Sequence, residues 1–187
     1  MELANHNQAI VPCPKAHTET KTDIVLYGMA DSAIGPILVA RGDQGMKMVS
    51  IGASYLELIM ELEGLFPGST LINGDGLAEQ YAREIARFIE LPSRGLDLPL
   101  EPQGTAFQRR VWTVLRSIPV GTTITYTELA IRLGDPKSVR AVASACAANP
   151  IAIAIPCHRV IGRDGGLTGY RWGLDRKKLI LEREANS

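Results

Sequence analysis

Cys157 is followed at once by His158, and no other pair in this 187-residue sequence has a clearer capacity for nucleophilic chemistry. A free thiol has a pKa of ~8.5, so a reactive cysteine needs a base or a positive environment. His158 could supply the base through a bridging water, since the side chains of adjacent residues diverge and do not readily bond directly. The imidazole would itself need an orienting carboxylate. Glu184 offers one, because it follows Ile180 and Leu181 by four and three residues and so lies on the apolar side of a C-terminal helix. Two structural readings stay open: an inert core cysteine, and a salt bridge from Glu184 to an arginine. Ile151, Ile153 and Ile155 alternate with Ala152 and Ala154 up to Pro156, which predicts a buried strand delivering Cys157 and His158 at its end.

The other cysteines do not extend this chemistry. Cys13, Cys146 and Cys157 are an odd number with no Cys-x-x-Cys pair, which argues against a disulfide framework or zinc knuckle and predicts a reducing, cytoplasmic compartment. Hydrophobic residues at 45% and charged residues at 21% exclude wholesale disorder, collagen and coiled coil. The first thirty residues carry frequent charges, so no signal peptide is expected. The longest apolar run, Ala143 to Cys157, is broken by Asn149 and Pro150, and no membrane span is expected. The net charge is zero, but it is unevenly distributed. Residues 1–100 hold 7 basic against 13 acidic side chains and residues 101–187 hold 13 against 7. Either the C-terminal half faces a polyanion or the two halves attract each other.

The elements that must position the site can be read from periodicity. Residues 1–22 show no period and are expected to be a flexible tail. Ile24–Met29, Ile37–Ala40 and Met46–Ile51 are β-rich runs separated by turn residues, which predicts a small antiparallel sheet. Ser54 and Glu57 open a helix bearing Tyr55, Ile59, Leu62 and Phe66, and Leu77, Tyr81, Ile85 and Phe88 repeat the spacing in a second. These elements define an N-terminal α/β domain over 23–92. Prolines and glycines then mark a linker over 93–103, before a C-terminal domain over 104–187.

In the basic half, Thr105 with Gln108 and Thr125 with Glu128 form capping boxes for a third and a fourth helix. Gly134 ends the fourth, and Asp135 with Pro136 is expected to start a fifth, a join short enough for a helix-turn-helix. On that fifth helix Val139, Val142, Ala143 and Cys146 should be buried, while Ala141, Ser144, Ala145 and Ala148 face away and Arg140 alone projects. Such a face suits close approach to a nucleic-acid groove without sequence reading, or packing against another helix through its alanines. Val160–Ile161 and Leu167–Thr168 flank an Asp-Gly turn and are expected to form the hairpin wing of a winged helix.

The run Ala145, Cys146, Ala147, Ala148, Asn149, Pro150 through Ile155, Pro156, Cys157, His158, Arg159, Val160 to Gly169 and Tyr170 closely resembles the O6-alkylguanine-DNA alkyltransferases, also called methylated-DNA–protein-cysteine methyltransferases. The nearest likeness is to the C-terminal domain of the bacterial adaptive-response (Ada) protein. It is near-continuous from Gly104 to Glu184 and weaker over 24–92.

The resemblance implies an α+β chain: a small N-terminal antiparallel-sheet/helix domain of ribonuclease H-like type, then a helical winged-helix (helix-turn-helix) domain. It implies DNA repair by direct damage reversal, in which the alkyl group of O6-alkylguanine or O4-alkylthymine moves irreversibly to the protein's own cysteine. Cys157 would be the nucleophile, with His158 and Glu184 relaying its proton through a water. Tyr126 would donate toward N3 of the guanine, Asn149 would hold the turns around the site, and Tyr170 would form a pocket wall. Arg140 would fill the space of the flipped nucleotide, and the recognition helix would enter the minor groove of double-stranded DNA without sequence specificity.

A monomer without cofactor or membrane is implied. The adaptive-response protein's four-cysteine zinc module has no counterpart, and His6, Cys13 and His17 match no ligand pattern, so no metal is expected. Trp172 falls where the resemblance puts the edge of the alkyl pocket and would exclude a benzyl group; the alternative is that it anchors the following helix. A non-enzymatic alkyltransferase-like damage binder is the competing function, disfavoured because such relatives carry Trp where this chain has Cys157. A Cys-His hydrolase is disfavoured by the lack of a visible oxyanion-hole loop.

Overall fold

The computed structural model describes residues 23–187. The tail over 1–22, with His6, Cys13 and His17, lies outside them. Among the described residues the chain is a mixed α+β structure with a small four-stranded sheet, a two-stranded one and several helices.

Strands β1 (Ile24–Ala30), β2 (Ile37–Arg41) and β3 (Met46–Ile51) form the antiparallel meander that the three runs predict. After helix α1 (Tyr55–Leu65), a fourth strand β4 (Thr70–Asn73) pairs in parallel with β1, so the sheet is mixed rather than antiparallel, in the order β3-β2-β1-β4. Only Leu71 of β4 is even half-buried, so this short edge strand lacks the alternation that would announce it.

The sheet is covered on both faces. Leu38, Ala40 and Met48 pack with Leu58 and Leu62 of α1, whereas Ile37, Val39, Val49 and Ile51 join the main core. Two covered faces explain why β2 reads as a continuous apolar run. Helix α2 (Gly76–Glu90), capped by Asp75, crosses the second face through Ala78, Ala82, Ile85 and Ile89. Its close approach depends on Gly28 of β1, where a Cβ would sit 2.5 Å from the backbone nitrogen of Glu79.

The main core runs without a break from this sheet into the C-terminal half. The segment after the short 3-10 helix Pro92–Arg94 packs along β3: Met46 N donates to Pro99 O at 2.9 Å, Glu101 N donates to Met46 O at 2.8 Å, and Leu98 is buried. Farther along the same edge Val49 N donates to Pro150 O and Ala152 N to Val49 O, both at 3.0 Å. The open edge of the sheet is thus satisfied by the segment leading to Cys157.

Both capping boxes form, opening α3 (Ala106–Arg116) and α4 (Tyr126–Arg132). Helix α5 (Val139–Ala147) begins three residues later than expected, because Asp135–Ser138 is spent on a turn closed by Ser138 N to Asp135 O at 3.0 Å. Ala145 is buried rather than outward-facing, since Trp112 of α3 packs on α5 and its Nε1 donates to Ala145 O at 2.9 Å. The expected hairpin is only a turn, with Gly162 N donating to Gly166 O at 2.8 Å. Strand β6 (Val160–Ile161) pairs instead in parallel with β5 (Ile124–Thr125), and Leu167–Thr168 adds no strand. Helix α6 (Leu174–Ala185) closes the fold. Among the described residues no helix is long and apolar enough to cross a membrane.

Candidate active site

Cys157 does not sit at the end of a strand. Residues 151–155 fold into a compact turn: Ile155 N donates to Ile151 O at 3.2 Å and Ala154 N to Ala152 O at 2.7 Å, with Ile153 at φ 67°. The Ile/Ala alternation mimics a strand because Ile151, Ile153 and Ile155 are all buried, through turning backbone rather than a pleat. Asn149 organises this turn from a fully buried position. Its Oδ1 accepts from Ile151 N at 2.9 Å, and its Nδ2 donates to Ile155 O at 2.8 Å and to Cys157 Sγ at 3.2 Å. Cys157 then opens a 3-10 helix, Cys157–Arg159, that leads into β6.

The short helix directs successive side chains to different places. Cys157 lines a cavity of about 450 Å³, together with Tyr126, Ala143, Ala147, Gly169 and Tyr170. That volume is in the range of small-molecule sites, ~300–1,000 Å³. His158 is fully buried, and its Nε2 lies 3.0 Å from Glu184 Oε1. Arg159 Nε and Nη2 also donate to Glu184, at 2.9 and 2.7 Å, and Gly121 N does so at 3.3 Å. Both readings of Glu184 therefore hold at once: it partners the histidine and it bridges an arginine. Sequence reasoning missed Arg159, and only its place beside His158 could have suggested it.

Ionisation follows from these contacts. Burial pushes the Cys157 thiol up to about 11, against the lowering effect of Asn149 and Lys177, so it is a neutral thiol at pH 7. Burial lowers His158 more than Glu184 raises it, and the ring is neutral. Burial works against ionisation of Glu184, but the hydrogen bonds from His158 and Arg159 together outweigh it and hold the carboxyl at about 2. An ionised Glu184 can only accept, which makes His158 Nε2 the donor and leaves Nδ1 with a free lone pair. Nδ1 has no hydrogen-bond partner among the described residues.

Tyr126 is the first residue of α4, half-buried, and its hydroxyl donates to Thr168 O at 3.3 Å across the cavity mouth. Burial raises its pKa, so it keeps its proton. Tyr170 forms part of the wall, meets His158 edge-on at 6.4 Å, and has a buried hydroxyl without a partner among the described residues. Arg140 is exposed at the second position of α5, away from the cavity lining. Cys146 lines the same cavity, and burial raises its thiol to about 12. Lys177 was also missed. It is fully buried and donates to Val160 O at 2.6 Å and Thr168 O at 2.9 Å, tying the wall to the strand after Cys157.

Trp172 does not line the cavity, so the expected pocket edge is corrected: its Nε1 donates to Ser50 Oγ of β3 at 2.8 Å, and the ring is buried between the two halves. Among the described residues no cluster of three or more His, Cys, Asp or Glu could hold a metal ion.

Residues 106–186 match the family described as "6-O-methylguanine DNA methyltransferase, DNA binding domain". The chain is 47% identical, over 87% of its length, to the Escherichia coli (strain K12) "Bifunctional transcriptional activator/DNA repair enzyme Ada", and it spans about half of that relative, 46%. It is 40% identical to a Methanosarcina barkeri (strain Fusaro) "Methylated-DNA--protein-cysteine methyltransferase", over 86% of this chain and 98% of the relative. The solved structure of Mycobacterium tuberculosis OGT in complex with DNA superposes with a TM-score of 0.71 at 35% identity, covering 86% of this chain and 93% of that one. The cysteine-centred cavity stands in a fold and a sequence shared nearly end to end with such proteins, and this chain belongs to the methylated-DNA–protein-cysteine methyltransferase family.

Proposed function

We propose that this protein repairs DNA by taking the alkyl group of O6-alkylguanine, and of O4-alkylthymine, onto its own Cys157 in one irreversible step. The observation that carries the reading is a buried thiol on a cavity wall with the His158–Glu184 pair behind it. Sγ attacks the alkyl carbon in line, the carbon–O6 bond breaks, and its electron pair stays on the guanine oxygen. The thiol proton passes through a water to His158 Nδ1, while Nε2 remains bonded to Glu184, whose charge stabilises the imidazolium that forms. Tyr126 gives its proton to guanine N3, so the base leaves neutral, and the His158 imidazolium passes its proton through solvent to the Tyr126 oxygen, which restores both side chains. Asn149 holds the turn that presents Sγ. A thioether is a poor alkyl donor, and no described residue beside Sγ, the neutral Cys146 thiol included, is placed to take the alkyl group from it, so each chain acts once.

Residues 104–187 act as a helix-turn-helix domain on double-stranded DNA, beside a ribonuclease H-like domain over 23–92 joined through 93–103. The exposed small residues Ala141 and Ser144 of α5 and Ala148 just beyond it support close approach in the minor groove. Arg140, exposed at the start of α5, fills the gap left by the flipped nucleotide and offsets an unstacking cost of a few kcal/mol. Tyr170 walls the base pocket. The protein works as a cytoplasmic monomer without cofactor.

The test is a duplex carrying methyl-labelled O6-methylguanine, with the label located by peptide mass. One methyl per chain is expected on the Cys157 peptide, and none on Cys157→Ala, which should still bind the duplex. Binding without transfer would favour the alkyltransferase-like alternative, and sustained turnover would overturn the suicide mechanism.

A further inference from the structure

Arg171 lines the cavity of Cys157 and also a second cavity of about 400 Å³ that includes Ile51, Glu57 and Glu61 from the N-terminal half. It stands between the two. What holds it there comes from the other half of the chain: Arg171 Nη2 lies 2.6 Å from Glu61 Oε1 of α1. The second oxygen of Glu61 accepts from Ser50 Oγ of β3, and Ser50 Oγ in turn accepts from Trp172 Nε1 at 2.8 Å. The guanidinium of Arg171 lies 5.9 Å from the centre of the Trp172 ring, and Trp172 meets Tyr170 edge-on at 5.2 Å. One carboxylate thereby braces three consecutive residues, Tyr170 to Trp172, of which the first two form wall.

The brace is unequal along its length. Ser50 and Trp172 are buried, and their hydrogen bonds fix Trp172 in place. The ion pair is partly open, with side-chain exposures of 31% for Arg171 and 26% for Glu61, and such pairs are weakly held. Arg171, shared by the linings of both cavities, is therefore the least firmly held part of the wall.

We propose that Glu61 is a positioning residue that holds Arg171 as the partition between the two cavities and so sets the upper size of the alkyl group the site accepts. The inference rests on the alkyl-transfer reading above. With the pair closed, the space beside Sγ suits methyl and other short chains; with it broken, a group of benzyl size extends into the second cavity. Glu61 touches neither substrate nor Cys157, and acts only through Arg171 and the Ser50–Trp172 bond.

The experiment compares rates of transfer to Cys157 from duplexes carrying a single O6-methylguanine or O6-benzylguanine, for wild type, Glu61→Gln, Arg171→Ala and Arg171→Lys. Glu61→Gln and Arg171→Ala should each raise the benzyl-to-methyl rate ratio by ~10–100-fold, the range one pocket contact commands. The double variant should raise it no further, and Arg171→Lys, which keeps a cation for Glu61, should stay near wild type. Loss of stability alone would slow both substrates together and leave the ratio unmoved. If Glu61→Gln does not fold, Arg171→Ala carries the test, because that side chain is exposed. A ratio unmoved in Glu61→Gln and Arg171→Ala, where wild type transfers methyl, overturns this inference alone; a wild type that transfers neither group overturns the function reading and this inference with it.

Discussion

Replacing His158 by Gln tests whether the thiol reacts as a base-assisted neutral group or as a free thiolate. Burial holds Cys157 at about 11, four units above neutrality. At pH 7 only ~1 chain in 10⁴ would carry a thiolate, a deficit of ~5 kcal/mol at 1.36 kcal/mol per unit. In the proposed mechanism a neutral His158, lowered from its ordinary 6.5 by burial and anchored 3.0 Å from Glu184, removes that deficit by taking the proton as the S–C bond forms. The amide of Gln can still donate to Glu184 but cannot accept a thiol proton usefully. Wild-type transfer should therefore be flat between about pH 7 and 9, because the base is already free. The variant should be slower by ~10²–10⁴ at pH 7 and should rise about tenfold per pH unit toward the thiol's own pKa. The assay is single-turnover transfer from a labelled duplex, with thermal melting as the check on folding. A wild-type rate that climbs tenfold per unit across that window would refute the reasoning, since it would make the free thiolate the nucleophile.

Arg140→Ala should slow transfer from duplex DNA far more than from the free alkylated base, because only the duplex requires a nucleotide to be expelled; equal losses on both substrates would assign Arg140 to chemistry or folding. Asn149→Ala leaves Ile151 N and Ile155 O without their buried partner and should lower stability by ~2–6 kcal/mol in urea unfolding, at ~1–3 kcal/mol per unsatisfied group; a loss below ~1 kcal/mol would show that Asn149 does not hold the turn. Acidification should destabilise the protein in two stages. His158, held below its ordinary 6.5, lets the unfolded chain bind a proton that the fold refuses, so stability falls as pH drops below 6.5. Glu184, held at about 2 against an ordinary 4.5, removes further stability as pH falls from 4.5 toward 2. A urea midpoint that stays constant through both windows would contradict these assignments, and Glu184→Gln should shrink the second stage to the part that Asp75, held below its ordinary value by Arg41, contributes.

The local rules that shaped this chain are legible in its residues. Capping boxes at Thr105/Gln108 and Thr125/Glu128 place the starts of α3 and α4, because each is a hydrogen-bonded unit closed within four residues. The three strand runs and the helical spacing of α1 and α2 are legible for the same reason: their signals are short-range. Cys157, His158 and Glu184 were within reach, as thiol, base and carboxylate are the types that such chemistry demands, and the spacing of Glu184 from Ile180 and Leu181 turned it inward.

What tertiary structure alone decided has no period. The alternation at 151–155 reads as a strand, yet Asn149 closes it into a turn, because a buried amide can satisfy the two backbone groups, Ile151 N and Ile155 O, that a sheet would otherwise have to pair. Strand β4 forms because β1 offers it an open edge, and β6 pairs with β5 from far along the chain. Trp172 is a large ring whose place, pocket or interface, depends on whether Ser50 lies within reach of its nitrogen, and it does. Arg159, Lys177, Glu61 and Arg171 acquire their partners only when segments distant in sequence meet. A charged side chain carries in its own sequence no record of which buried carbonyl or carboxylate the folded core will bring to it.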